Sequence, residues 1–130
     1  MYDFSDARKF YTWTIAKTAS ASGVIDTEGC LIGSISTPDD FTATTIALGI
    51  TCSETADGTF LPLRDSNGIH VGVTVTATGA LAWRSTPDLS ALIIPRYWKL
   101  TALDDGADPA SGVAQAAAAR TGKMCGRPFA

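Results

Sequence analysis

Two stretches of alternating apolar and small or polar residues constrain the fold of this chain more than any other feature. Apolar residues occupy every second position from Ile46 to Cys52, and again from Ile69 to Val75. Successive side chains of a β-strand project to opposite faces, so this spacing predicts strands with one buried face. Turn-rich segments separate the two runs, and together they predict an all-β, antiparallel β-sandwich.

Turn signals and strand formers elsewhere extend this prediction. Tyr11–Lys17 is rich in aromatic and β-branched residues and is interpreted as the first strand. Asp57-Gly58 and Asn67-Gly68 are strong turn dipeptides. Thr86 followed by proline is typical of a helix start, so at most one short helix is expected, from Pro87 to Leu92. We predict a jelly-roll-like sandwich of about eight strands.

The chain of 130 residues is long enough for one domain with its own core. Residues 1–10 are predicted to form an N-terminal arm that either docks on a neighbour or frays, and residues 11–120 to form the sandwich. The alanines of the stretch 113–120 favour a helix, but a closing strand fits the sandwich better, and the stretch is interpreted as that strand. Residues 121–130 are assigned to a C-terminal tail, which either continues that strand through Met124 or leaves the domain.

The alternation also predicts which side chains form the interior. The expected core residues are apolar and lie at inward positions of the predicted strands. They are Leu31, Ile46, Leu48, Ile50, Val71, Val73 and Leu100.

Charge and hydropathy argue against several functional classes. The net charge is −3, and the ten basic residues are scattered from Arg8 to Arg127, so no nucleic-acid footprint is expected. The first residues lack the pattern of a signal peptide. No apolar run approaches the roughly 20 residues that a membrane-spanning helix needs.

Residues capable of chemistry are few and unpaired in the sequence. His70 is the only histidine, and it falls on the non-core face of a predicted strand. The carboxylate pairs Asp39-Asp40 and Asp104-Asp105 lack the ligand spacing of a calcium loop, so turn capping is expected of them. The glycines show no phosphate-loop spacing. We therefore expect no catalytic, metal-binding or cofactor-binding residues and no enzymatic activity.

The three cysteines, Cys30, Cys52 and Cys125, are far apart and form no CxxC pair. The residues leave two alternatives open. One is three buried, reduced thiols, the common state of free cysteine. The other is one disulfide with a single remaining thiol.

Large aromatic residues offer two interpretations. Trp13, Trp83, Tyr97 and Trp98 could form a platform that stacks on a sugar ring, or they could pack in the core and between subunits. Tyr97 and Trp98 are neighbours on a predicted strand, so they must point to opposite faces. One small sandwich has limited room for so many rings, so we expect some to reach a surface and mark a homo-oligomer contact.

An ordered set of short motifs carries a resemblance that covers about Val24 to Leu103. The motifs run in the order Asp26 to Gly29, a strand from Leu31, Asp57-Gly58-Thr59-Phe60, Pro62-Leu63, Asn67-Gly68 and Pro95-Arg96-Tyr97-Trp98-Lys99-Leu100. This order resembles small virion proteins of tailed bacteriophages that fold as jelly-roll sandwiches. It is also similar to discoidin-like and galactose-binding-like modules. The loop Ser53–Gly58 is longer than the usual turn, and no carbohydrate-contacting residue of those modules is matched here.

The resemblance implies two classes of function. The first is a non-enzymatic structural component of a tailed-phage particle, such as a decoration, collar, fibre-base or tail-associated subunit. Its partners would be copies of itself and other virion proteins, without nucleic acid or membrane, and it would be located in the virion after assembly in the host cytoplasm. The alternative is a carbohydrate-binding module of the galactose-binding-like type.

Overall fold

The computed structural model describes residues 8–75, 82–86, 95–104 and 112–128. All regular elements in these ranges are β-strands. They are β1 (Lys9–Ile15), β2 (Ile25–Asp26), β3 (Leu31–Thr37), β4 (Ala47–Ser53), β5 (Leu61–Pro62), β6 (Gly72–Thr74), β7 (Ala82–Ser85), β8 (Tyr97–Leu103) and β9 (Arg120–Arg127). The helix predicted at Pro87–Leu92 lies outside the described residues.

The strands form two antiparallel sheets, and the predicted sandwich is confirmed. The first sheet has the order β1-β9-β3-β7, and the second has the order β2-β8-β4-β5, with β6 also paired to β4. The pairing is nested, because β1 pairs with β9, β2 with β8, β3 with β7 and β4 with β6. This is a long hairpin rolled onto itself, which is the jelly-roll arrangement.

Local turn chemistry explains where the chain reverses. Asp65 Oδ1 accepts hydrogen bonds from the backbone N–H groups of Asn67 and Ile69, at 2.8 and 3.0 Å. Gly68 completes that predicted turn with a φ of 79°. Between β2 and β3, Glu28 and Gly29 both have positive φ, and Cys30 N–H donates to the Thr27 carbonyl at 2.8 Å.

The interior lies between the two sheets and follows the predicted alternation. Leu48, Ile50, Val71, Val73 and Leu100 are buried, which confirms those predictions. Leu31 is partly buried and packs against the same cluster.

Ile46 was wrongly placed in the core, because its side chain is 44% exposed. It lies one residue before β4 begins. The preceding residue, Thr45, turns inward instead and is 1% exposed. The period-two pattern therefore stops one residue before the strand begins.

The boundaries of the outer strands also differ from the predicted ones. Lys9 and Phe10 belong to β1, so the sandwich begins inside the predicted arm. Residues 113–119 form no strand, whereas Arg120–Arg127 pairs with both β1 and β3. The predicted tail is thus mostly an inner strand of the first sheet, as in the alternative that continues the strand past Met124. Its glycines face inward beneath large side chains from the neighbouring strands. Because glycine has no side chain, these inward positions do not show the apolar alternation of a buried strand, and the segment resembles a tail in sequence.

A buried polar network closes one end of the sandwich. Gln115 is fully buried, and its Oε1 accepts hydrogen bonds from Thr42 N–H at 2.8 Å and Arg120 Nε at 3.1 Å. Its Nε2 donates to Thr45 Oγ1 and to the Val113 carbonyl. The network ties the segment before β9 to the loop before β4, so residues 112–119 are anchored without being a strand.

Candidate functional site

The outward surface of the first sheet carries the most distinctive side chains of the described chain. Strand register places Phe10, Cys125 and Ser34 in one row across β1, β9 and β3. Ser36 and Trp83 are directly paired in the next row. We call this surface the aromatic face and define it by its outward residues, which are Phe10, Ser34, Ser36, Trp83, Lys123, Cys125 and Arg127.

An exposed aromatic pair spans the aromatic face. The rings of Phe10 and Trp83 meet edge to face, with centroids 6.2 Å apart and planes inclined by 61°. They come from the two edge strands of the sheet, so they approach each other across β9 and β3. The outward residues beneath them, Ser34 and Cys125, are small enough to allow this contact. Phe10 is 56% exposed and Trp83 52% exposed, so the pair presents apolar surface outward.

A hollow of about 170 Å³ lies between residues of β3 and β9. Seven residues line the hollow, and three of them are small. They are Gly33, Ser34 and Gly126, together with Arg8, Leu31, Cys125 and Arg127. A Cβ at Gly33 would meet no atom within 4 Å, which shows how open this wall is. The hollow therefore combines two guanidinium groups with an apolar neighbour.

The charge on the first sheet has one sign. Its four strands contain five of the ten Lys and Arg residues and none of the thirteen Asp and Glu residues of the chain. Lys9 and Arg120 form ion pairs with Glu28 and Asp40 from outside these strands, and Arg84 donates a hydrogen bond to Thr37. Lys123 and Arg127 lie on the outward side and are exposed. The aromatic face is therefore locally positive on a chain with a net charge of −3.

A second groove, of about 380 Å³, lies at the end of the second sheet. It is lined by Cys52, Ser53, Glu54, Thr55, Gly58, Thr59, Leu61, Pro62, Leu63 and Pro95. Burial raises the pKa of the Cys52 thiol to about 12, so this sulfur stays protonated near neutral pH and is a poor nucleophile. The groove carries no charge pattern that selects a ligand.

His70 is half-buried and has a packing role. Its ring lies over Gly49, where a Cβ would come within 2.7 Å of His70 Cε1. His70 Nε2 lies 3.0 Å from the Ile50 carbonyl, which makes Nε2 the donor. The other ring nitrogen, Nδ1, is buried without a hydrogen-bond partner in the described ranges. This geometry brings no nucleophile to the ring.

Of the predicted carboxylate pairs, the structure describes Asp39, Asp40 and Asp104. Asp40 forms an ion pair with Arg120 at 3.2 Å, while Asp39 is exposed. Asp104 is exposed at the end of β8, and Asp105 lies outside the described residues. Within the described ranges, no group of three or more His, Cys, Asp or Glu side chains is arranged to hold a metal ion.

The predicted aromatic residues divide between the core and the surface. Trp13 stacks on Phe41 in the interior, and Trp98 is buried on β8. Tyr97 points the other way, as predicted, and is half-buried with Arg96 over its ring. Trp83 alone among the four is exposed. Its partner Phe10 was missed because it was assigned to the arm. The sequence did contain a signal for Phe10, because this residue occupies an outward position that alternates with the buried positions of β1.

Tyr11, on the inward side of β1, fixes the turn between β2 and β3. Its hydroxyl lies 3.1 Å from the Thr27 carbonyl, 3.1 Å from Glu28 Oε1 and 3.3 Å from Cys30 Sγ. Burial, followed by the hydrogen bonds with Cys30 and Glu28, raises the pKa of Tyr11 above its usual range. The phenol therefore remains protonated, and the cluster serves structure.

The cysteines are all free in the structure. Cys30 and Cys52 are buried, whereas Cys125 is half-buried on the aromatic face. The alternative with one disulfide is not seen, and Cys125 becomes a native thiol reporter for this surface.

No family model, curated protein or solved structure matches the chain. In addition, the described residues contain no helix long and apolar enough to cross a membrane.

Proposed function

We propose that this protein is a non-enzymatic structural subunit of a tailed-bacteriophage particle that acts through subunit–subunit contacts on its aromatic face. The observation that carries the proposal is the exposed Phe10–Trp83 pair. Contact with a neighbouring subunit would remove this apolar surface from water. Exposed aromatic clusters of this kind are enriched at protein interfaces.

Two further observations support the assignment to a phage particle. The motif order from Val24 to Leu103 resembles small virion proteins of tailed phages. The jelly roll is an architecture used by viral capsid domains, although it also occurs in lectins. The partners in this proposal are copies of the chain and other virion proteins, and the location is the virion after assembly in the host cytoplasm.

The surroundings of the reactive residues support a non-enzymatic role. His70 packs over Gly49, Asp40 pairs with Arg120, and the pKa of Cys52 is raised by burial. Each of these groups takes part in packing, in an ion pair or in the interior. We therefore assign the function to the surface of the protein rather than to a cleft.

Association on the aromatic face can be tested by light scattering coupled to size exclusion. We expect the parent protein to associate, and Trp83→Ser to shift it towards monomer, because the substitution removes apolar contact area. Leu61→Ser is the matched control, since Leu61 is 63% exposed on the second sheet. A parent protein that stays monomeric at high concentration, or equal effects of both substitutions, contradicts the proposal.

The location is tested separately by mass spectrometry of purified particles. The chain is expected at a fixed copy number per particle, together with capsid or tail proteins. Its absence from purified particles contradicts the assignment to a virion.

The alternative function is carbohydrate binding, and one observation favours it. Trp83 is exposed beside the hydroxyl groups of Ser34 and Ser36, and an indole face packs well on the C–H surface of a sugar. Glycan-array screening of the parent protein and Trp83→Ser distinguishes the two functions. Saturable, Trp83-dependent glycan binding by a monomer supports the alternative and contradicts the assembly role.

A further inference from the structure

We infer that residues 1–7 of a neighbouring copy occupy the aromatic face, with Tyr2 and Phe4 against the Phe10–Trp83 pair and Asp6 beside Lys123 and Arg127. This inference rests on the proposed function and specifies the partner of the same surface. The structure describes the chain from Arg8 onward.

Charge complementarity is the first argument. The strands of the first sheet carry no carboxylate, and Lys123 and Arg127 point outward from β9. Residues 1–7 read Met-Tyr-Asp-Phe-Ser-Asp-Ala, with two carboxylates and no Lys or Arg. Opposite charges across an interface favour the correct partner and the correct register.

The second argument is the order of side chains in the segment. In an extended segment, alternate residues project to the same side, so Tyr2, Phe4 and Asp6 face one surface together. That set, two aromatic rings followed by a carboxylate, matches the composition of the aromatic face. The other acidic stretches, at 39–40, 54–57 and 104–108, contain no aromatic residue.

Reach and direction favour a neighbouring copy over the same chain. Seven extended residues span up to about 25 Å, whereas four strands of a sheet are about 14 Å across. In the same chain, the segment would have to reverse at once before Arg8 to reach Phe10.

The test uses the full chain and two readouts, which are association by light scattering and the rate of Cys125 alkylation. Cys125 lies beneath the aromatic pair, so an occupied face should slow its reaction. We expect Phe4→Ser and Asp6→Lys each to weaken association by at least about tenfold and to speed alkylation at assembly concentrations. Lys123→Glu should have the same effect.

A charge swap makes the test specific. The double variant Asp6→Lys/Lys123→Glu should recover most of the association lost in either single variant, because the two reversed charges attract again. Lys17→Glu is the matched control, since Lys17 is exposed and lies after β1. It should associate like the parent protein.

The outcomes separate this inference from the proposed function. If Trp83→Ser prevents association while Phe4→Ser and Asp6→Lys do not, the inference is wrong and the proposed contact surface stands. If Phe4→Ser speeds Cys125 alkylation in a dilute monomer, the segment docks on its own chain, and the inference is again overturned. If none of these substitutions alters association, both the inference and the proposed function fail.

Discussion

The indole ring of Trp13 lies against Gly122, its cross-strand partner on β9, and reaches over that glycine to the next strand. Trp13 Nε1 donates a hydrogen bond of 3.2 Å to the Ser36 carbonyl on β3. A Cβ at Gly122 would lie 2.6 Å from Trp13 Nε1 and would overlap the Ser36 carbonyl oxygen. One of the two tryptophans of the core therefore depends on a missing side chain in the adjacent strand.

Substitution of Gly122 by alanine should lower the free energy of unfolding by about 2–3 kcal/mol, because the new methyl group collides with backbone and a buried ring. Urea denaturation measures the change. Gly33→Ala is the matched control on β3, where a Cβ meets no atom within 4 Å, and it should alter stability by less than about 0.5 kcal/mol. Equal effects of the two substitutions would contradict this packing.

Removal of the Gln115 amide should destabilise the fold more than weakening the adjacent ion pair. Gln115→Met keeps the volume but leaves Thr42 N–H and Arg120 Nε without their acceptor, at a cost of about 3 kcal/mol. Asp40→Asn should cost less, about 1–2 kcal/mol, because the Asp40 side chain is 59% exposed and an asparagine oxygen can still accept from Arg120, whose own side chain is only 5% exposed. The comparison requires denaturation curves for both variants, and the reverse order of stabilities would show that the network is not the main support of residues 112–119.

The native protein should contain one reactive thiol. Cys125 is half-buried, whereas Cys30 and Cys52 are buried, and the pKa of Cys52 is raised to about 12. Titration with a thiol reagent near pH 7.5 should therefore modify Cys125 first, with the other two reacting only after unfolding. Cys125→Ser should remove the fast phase. A fast phase that persists in this variant would mean that the interior is accessible.

The Asp26–Arg96 pair should make stability sensitive to acid. Arg96 Nε and Nη2 donate to the two carboxylate oxygens of Asp26 at 2.6 and 2.7 Å. These hydrogen bonds, with a smaller contribution from Glu28 N–H, lower the pKa of Asp26 to about 2. A carboxylate whose pKa is lowered by folding stabilises the folded state at pH values above its ordinary pKa of 3.8. This stabilisation is lost as the pH falls from about 4 to 2.

Partial exposure of both side chains keeps this contribution small, because water screens the ion pair. The Asp26→Asn variant should therefore be slightly less stable than the parent protein at pH 7. Between pH 4 and 2, it should lose less stability than the parent protein does. Arg96→Gln should flatten the same part of the curve. Urea midpoints across this range measure the effect, and parallel curves for all three proteins would show that the ion pair is not coupled to folding.

The candidate site was only partly predictable from the sequence. The expectation that aromatic rings reach a surface was based chiefly on Tyr97 and Trp98, yet Trp98 is buried and Tyr97 only half-buried. The pair on the aromatic face instead joins Trp83 to Phe10, which lie on opposite edges of one sheet. Alternation assigns each ring to one of two faces, but it does not say which face another layer covers.

What the sequence by itself determined is local in origin. Side-chain alternation is a property of a single strand, and it predicted the all-β sandwich and the burial of Leu48, Ile50 and Val73. Turn chemistry is equally local, so Asn67-Gly68 predicted its reversal correctly.

Only the tertiary structure decided where Ile46 and β9 lie and which residues share the outer face. Ile46 is exposed although it continues the alternation of β4, and no neighbouring residue in the sequence reports that. In the sequence, the glycines of β9 made this segment resemble a tail. In the structure, Trp13 and Ile32 pack against those glycines. The physical reason is that strand register and layer packing depend on residues far apart in the chain, whereas propensity and periodicity describe residues that are close together.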